Sequence, residues 1–400
     1  LRKILGNNAK IYLTMTRAEE LENRLSLLVK FGGVVTKETN LTRLLGLIAH
    51  QVEEILSAER CSIFLIDHST NELWSKIALG INRTEIRVPV GRGIVGHVAV
   101  TGLPLNISDA YKHDKFNPEI DRIIRFKTRN ILAVPLKNVN GNTMGVFEVI
   151  NKTTGPFNDE DQGILQLLSS LAASAIENAQ LYETLSQAQL ETIYRLAITA
   201  EYRDQHDTAI HLKHISEYSG LVSWSLGLPE KEMENIKYAS PLHDIGKVAI
   251  ADAILLKPAR LTPEEFEEMK KHTLYGAKIL CNAQSHLLQV ACKIAASHHE
   301  KFDGTGYPNK IKGAHIPLEA RIVSVVDVFD ALCMPRVYKP SWEPEKAREY
   351  ILNESGKSFD PEIVNAFIKV YKNILEIQKM PDSKTTLIPG ITKELHKNHF

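Results

Sequence analysis

The sequence predicts a multidomain chain: an α/β domain, then an all-α domain, joined by a long helix. Three observations carry this. Short apolar runs between residues 61 and 150 are bounded by turn residues and read as strands. From Asp159 to Leu228 there is no proline, and apolar residues recur by four and three. Beyond residue 190 the spacing is helical and histidine becomes dense, with nine of the fifteen lying between His206 and His315.

A chain of 400 residues has room for two or three domains. Lys plus Arg equals Asp plus Glu, at 48 each, so charge balance draws it neither to a nucleic-acid polymer nor to a membrane surface. No run approaches the roughly 18 apolar residues of a membrane span. The start, Leu1-Arg2-Lys3-Ile4-Leu5-Gly6, reads poorly as a signal peptide and lacks Met, so the true N-terminus is left open. Cys61, Cys281, Cys292 and Cys333 have neither zinc-like nor redox-like spacing. Reduced thiols and a cytoplasmic location are the expectation.

Residues 1–34 form an N-terminal helical segment. Leu13, Ala18, Leu21, Leu25 and Leu28 give a rough apolar stripe over residues 11 to 30, and Gly32-Gly33 is expected to end it. Residues 38 to 57 read as a second helix with a broad apolar face from Leu41 to Leu56. Strands follow at Cys61–Asp67, Leu73–Ala78, Ile86–Val90, Ile131–Leu136 and Met144–Ile150, with a turn over Asn138 to Asn142. Gly91-Arg92-Gly93-Ile94-Val95-Gly96 is a glycine-punctuated entry to a helix. It lacks the lysine and hydroxyl of a phosphate loop.

Asn151-Lys152, then Phe157 and Asp161, resembles the signature of the GAF domain, over residues 35–180. Gln162 stands where that signature has Glu. The resemblance implies a sheet with helices and a sensor role. It leaves open a small-molecule ligand or a pure dimerisation module.

The connecting helix spans residues 164–200. Ile164, Leu168, Leu171, Ala175, Asn178, Tyr182, Leu185, Gln189, Thr192 and Leu196 fall on one seam, half of it polar. A weak parallel homodimer is expected there.

The second domain covers residues 195–378, and a polar tail covers 379–400. Lys231 to Ser240 is a helix ending near Pro241. Thr262-Pro263-Glu264-Glu265 is a capped helix start. Pro340 to Glu354 and Pro361 to Leu375 are later helices.

Ligand-type residues are spread over these helices. His211 shares a face with Asp207, His214 and Tyr218. His243-Asp244 follows the stripe Met233, Ile236, Ser240. His272 follows a Glu-rich helix start. His298-His299 ends a run with Leu287, Ala291 and Ile294 at helical spacing, and Asp327 and Asp330 share one face. Nitrogen and carboxylate donors without thiolate suggest divalent ions, not a structural zinc finger. An aspartate beside His and Lys in an apolar setting is expensive without compensating charge. His214 and His286 read as packed or surface histidines. Asp303-Gly304-Thr305-Gly306-Tyr307-Pro308 must be a tight loop beside the histidine pair.

His243-Asp244-Ile245-Gly246-Lys247, with His299-Glu300, Asp303-Gly304 and Gly306-Tyr307-Pro308, resembles the HD-GYP family of cyclic di-GMP phosphodiesterases, part of the metal-dependent HD superfamily. The resemblance covers about residues 195 to 375. It implies an all-α HD-type metal-binding domain behind the GAF-like sensor, with His211, His243, Asp244, His272, His298, His299 and Asp327 as metal ligands. The family's extra carboxylate falls on Asp207, which leaves two or three divalent ions, iron or manganese. Lys247, Tyr307, Arg336 and Lys339 match positions near substrate phosphates, and Asp244 and Lys247 would be catalytic. Ala209 stands for a usual Gly, and Cys333-Met334-Pro335 for a more polar segment. The implied reaction is hydrolysis of cyclic di-GMP to the linear dinucleotide pGpG, GMP or both by a metal-bridging hydroxide, under control of the first domain. The alternatives are a non-catalytic cyclic di-GMP receptor and a phosphodiesterase for a related cyclic dinucleotide.

Overall fold

The computed structural model describes residues 26, 29–75, 86–202, 208–334 and 341–379. The chain divides into two compact units, Leu1–Ser186 and Gln187–Phe400. Most of the helix expected over residues 11 to 30 lies outside the described residues. Gly32-Gly33 does not end it, since residues 29–35 are helical.

In the first unit, helix α1 (Leu41–Leu56) starts where the Asn40 side chain accepts a hydrogen bond from Arg43 N. Six strands follow: β1 (Ala58–Asp67), β2 (Glu72–Ser75), β3 (Ile86–Pro89), β4 (Leu105–Ile107), β5 (Ile131–Lys137) and β6 (Thr143–Lys152). They form one antiparallel sheet in the order β3-β2-β1-β6-β5-β4. Strand alternation sorts the side chains. Ile63, Leu65, Val134, Phe147 and Val149 meet α1 and the first turns of α4 (Asp159–Glu201) in one core. Phe64, Ala133 and Val146 join α2 (Gly93–Thr101) in another. Strand β4 and the short helix α3 (Pro118–Ile124) were not visible as apolar runs in the sequence.

The Asn151-Lys152…Asp161 signature is a staple. Asn151 accepts from Arg129 N at 2.6 Å and donates to Glu59 and to Lys127 O. Lys152 Nζ lies 2.6 Å from Asp161, which also accepts from Asn158 N. These bonds tie the end of β6 to the start of α4. Beside the second core lies a cavity of about 310 Å³, whose lining includes Arg60, Ser62, Phe64, Arg92, Asp121 and Glu148.

Helix α4 is continuous for 43 residues, about 64 Å at 1.5 Å per residue. Its seam residues divide. Leu168 and Ala175 are buried in the first unit's core, whereas Leu171, Tyr182, Leu185 and Leu196 are exposed.

The second unit is largely helical. Its helices are α5 (Thr208–Ser225), α6 (Glu230–Ala239), α7 (Asp252–Leu255), α8 (Pro263–Lys270), α9 (His272–Leu280), α10 (His286–Ser297), α11 (Leu318–Cys333), α12 (Pro344–Asn353) and α13 (Pro361–Lys379). One core joins Leu212, Ile215 and Val222 of α5 to Ile294 of α10, Val326 and Phe329 of α11, and Phe367 and Ile374 of α13. The Thr262–Glu265 capping box forms as expected. The helix expected from Pro340 begins at Pro344, where proline fits the first turn. Cys281 and Cys292 correct the reduced-thiol expectation: they are joined, with Cα atoms 5.3 Å apart. Their spacing of eleven carried no signal because the α9–α10 turn, not the sequence interval, brings them together. Among the described residues, no helix is long and apolar enough to cross a membrane.

Candidate metal centre

His211 is placed by the core face of α5, where Ile215, Tyr218 and Val222 follow it at intervals of four, seven and eleven. Asp327 and Asp330 lie on the α11 face that carries Val323 and Val326. His243 and Asp244 sit between two short 3₁₀ turns, Ser240–Leu242 and Ile245–Ala249. His272 opens α9, and His298-His299 follows the last turn of α10. Two glycines permit this approach. A Cβ on Gly246 would fall 1.9 Å from His272 O, and one on Gly306 would fall 2.3 Å from Lys301 N. The first lets the Asp244 turn lie against α9. The second folds the Gly-Tyr-Pro loop onto the histidine pair.

The histidines are oriented by their backs. Nδ1–H of His243, His272 and His298 donates to the carbonyls of Ser240, Met269 and Ile294 at 3.0, 2.7 and 3.1 Å. Nδ1–H of His211 donates to Asp330 at 2.7 Å, and the other oxygen of that carboxylate accepts from His214. Each Nε2 lone pair is thereby turned inward. Nε2 of His243, His272 and His298 and Oδ1 of Asp244 are buried and have no hydrogen-bond partner among the described residues.

Asp244 lies between two groups. Its Oδ1 is 3.2 Å from His272 Nε2 and 3.5 Å from His298 Nε2, and its Oδ2 is 3.4 Å from His243 Nε2. Asp327 Oδ1 stands 3.7 Å from His211 Nε2 and 3.8 Å from His243 Nε2. Donor atoms of Asp244, His272, His298 and His299 all lie within 4.8 Å of one another, and so do those of Glu201, His211 and His243. Buried donors with inward lone pairs, nitrogen and oxygen only, suit divalent ions.

The HD domain family matches residues 162–363, just over half of the chain. The chain belongs to the HD domain family. The GAF domain family matches residues 40–176. The curated relatives agree with the HD-GYP resemblance. One is the 3′3′-cGAMP-specific phosphodiesterase 2 of Vibrio cholerae, 40% identical over 223 residues, or 56% of this chain and 42% of that protein. Another is the cyclic di-GMP phosphodiesterase response regulator RpfG of Xanthomonas campestris pv. campestris, 45% identical over 46% of this chain and 49% of its own length. A third is the cyclic di-GMP phosphodiesterase of Thermotoga maritima, 42% identical over 49% of this chain and 53% of its own. The chain spans about half the length of these relatives.

In this HD domain the two groups differ electrostatically. Burial lowers the proton affinity of His299 well below its usual value, helped by neighbouring His298, and burial likewise lowers that of His298. At His243 burial acts in the same direction, but Asp244, Asp327 and Glu201 outweigh it and raise the pKa to about 10. Burial would favour the neutral form of Asp244, yet Lys247 and His243 keep its carboxyl well below the ordinary range. Lys247 Nζ is 2.9 Å from Asp244 Oδ2. The Tyr307 ring packs on His299, with centroids 4.8 Å apart.

Of the residues singled out from sequence, His211, His243, Asp244, Lys247, His272, His298, His299, Tyr307 and Asp327 are brought together. Asp207, Arg336 and Lys339 lie outside the described residues. His214, read as a packed or surface histidine, is buried and shares Asp330 with His211. Glu201 was missed. It is 1% exposed, with Oε1 4.0 Å from His243 Nε2. A signal existed: Tyr194, Ala197 and Ala200 form a buried stripe that leads straight to it.

Proposed function

We propose that the chain is a metal-dependent phosphodiesterase that hydrolyses cyclic di-GMP to pGpG, GMP or both. One observation carries the reading: a single buried carboxylate, Asp244, faces inward-turned histidine nitrogens with each of its oxygens. A carboxylate in that position is suited to be shared by two ions. His211, His243 and Asp327 would hold one ion, and His272, His298 and His299 the other, with a third possible through Asp207. Iron or manganese fits this mixed donor set.

Such ions supply an activated water at neutral pH and draw charge from phosphoryl oxygens. The chain does the positioning. Carbonyls behind His243, His272 and His298, and the Asp330 carboxylate behind His211, hold those Nε2 atoms in place. Lys247 puts an ammonium beside Asp244, where it can neutralise a non-bridging phosphate oxygen. Tyr307 supports His299. Arg336 suits a bidentate grip on phosphate and Lys339 a point contact, by their match to the family's positions. In the reaction, water oxygen bonds to phosphorus, the bond to the ribose 3′ oxygen breaks, and that oxygen takes a proton. The GAF-like domain would bind a small molecule in its cavity and regulate turnover. A cytoplasmic homodimer is the setting.

A second reading has specific support, because one relative is named as specific for 3′3′-cGAMP. The related cyclic dinucleotide is therefore the competing substrate. The test is hydrolysis of both compounds by purified protein supplied with Mn²⁺ or anaerobic Fe²⁺, with products separated by chromatography. The expected result is pGpG or GMP from cyclic di-GMP, with Asp244→Asn losing metal and turnover together. A fully loaded protein that leaves cyclic di-GMP intact sinks the proposal, and faster cleavage of 3′3′-cGAMP transfers it to the second substrate.

A further inference from the structure

We infer that Glu201, the last residue of α4, is a carboxylate ligand of the ion held by His211, His243 and Asp327. The inference rests on the metal-dependent reading above and adds a ligand to it.

The geometry is that of donors around one ion. Donors about 2.1 Å from a common ion lie roughly 3 Å apart when adjacent at a right angle and roughly 4.2 Å apart when opposite. Asp327 Oδ1 lies 3.7 and 3.8 Å from the two histidine nitrogens, and Glu201 Oε1 lies 4.0 Å from that of His243. Donor atoms of Glu201, His211 and His243 fall within 4.8 Å of one another. The three pairwise separations sit within the span that one ion can close, and the 4.8 Å bound on the Glu201–His211–His243 group lies just beyond it.

Charge points the same way. Asp327 stands beside both His211 and His243, Asp330 beside His211, and Glu201 and Asp244 beside His243. Glu201 and Asp330 are at most 1% exposed. Carboxylates gathered in so little water favour cationic charge among them. Two divalent ions supply it. The second group, with three histidines and one oxygen of Asp244, needs no further carboxylate. The two ions would therefore differ: oxygen-rich coordination at the Glu201 side, nitrogen-rich at the other.

Placement makes the assignment consequential. Glu201 is covalently the end of the helix whose first turns are buried in the GAF-like core. A ligand on that helix is a covalent link by which the first domain can act on the metal centre.

The experiment is Mn²⁺ binding to metal-stripped full-length chain, by equilibrium dialysis and elemental analysis, for wild type, Glu201→Gln and Glu201→Asp. Wild type should take up at least two ions. Glu201→Gln should keep one with near-native affinity and bind another at least about tenfold more weakly, and Glu201→Asp should fall between. The Gln variant should fold without metal at least as well as wild type, judged by circular dichroism and thermal melting, since it buries no charge. Unchanged affinities at every site would overturn the inference. So would a metal-free Gln variant that fails to fold, because the carboxylate would then serve the protein rather than an ion. The readout is metal content, so a loaded wild type without turnover defeats the phosphodiesterase reading alone.

Discussion

At the scale of single residues, burial decides what each titratable group can do. Asp330 is fully buried yet stays ionised, because the bonds from His211 and His214 outweigh its desolvation. It fixes the ring of one candidate ligand without facing the ions. Glu148 shows the opposite balance in the GAF-like domain. Burial, with help from Asp121, raises its pKa from 4.5 to about 7. The folded state therefore holds this proton more tightly than the unfolded chain does. The stabilisation is complete below pH 4.5 and is lost as pH rises through about 7, by at most roughly 3 kcal/mol. Glu148→Gln should remove that dependence. Urea unfolding between pH 5 and 8, followed by Trp74 fluorescence in a Trp224→Phe, Trp342→Phe background, reads it. A variant with the same pH slope as its parent shows that Glu148 is solvated and carries none of it.

At the scale of elements, the centre depends on how closely backbones approach. The Ile245–Ala249 turn touches α9 only because Gly246 has no Cβ. Gly246→Ala must push Asp244 away from His272, and displacements near 1 Å cost about a hundredfold in rate. The expected variant keeps its helical circular dichroism, loses metal from the His272–His298–His299 group and turns over about a hundredfold more slowly. Elemental analysis beside single-substrate kinetics checks this. Native metal content would mean the turn has another route to the same geometry.

At the scale of the whole molecule, α4 is the feature that spans both units. Leu181, Tyr182, Leu185 and Leu196 are 63%, 59%, 57% and 55% exposed on it, a stripe suited to a second copy of the same helix. Regulation through that helix makes a phase prediction. Four residues inserted after Gln187 turn Glu201 by about 40°, whereas seven nearly preserve a coiled-coil phase. The four-residue insertion should lower turnover or abolish the response to first-domain ligands, and the seven-residue insertion should do so far less. Equal kinetics and metal content in both would reduce the helix to a spacer.

The sequence by itself determined the order of the two domains, the long helix and the candidate ligand histidines. Each is a local pattern: strand runs between turns, a four-three spacing, and His-Asp and His-His pairs at helix ends. The Gly-Tyr-Pro loop was legible for the same reason, since its glycines exclude a helix. Only the tertiary structure decided what converges. Glu201 is an ordinary helical glutamate until α5 and the Asp244 turn bury it beside His211 and His243. Asp330 is one of two aspartates on a helix face until His211 and His214 meet it, 119 and 116 residues away in sequence. Cys281 and Cys292 become partners only through the turn between their helices. Periodicity reports which face of an element is buried. It carries no record of which other face will lie opposite, and a metal centre is made from that meeting.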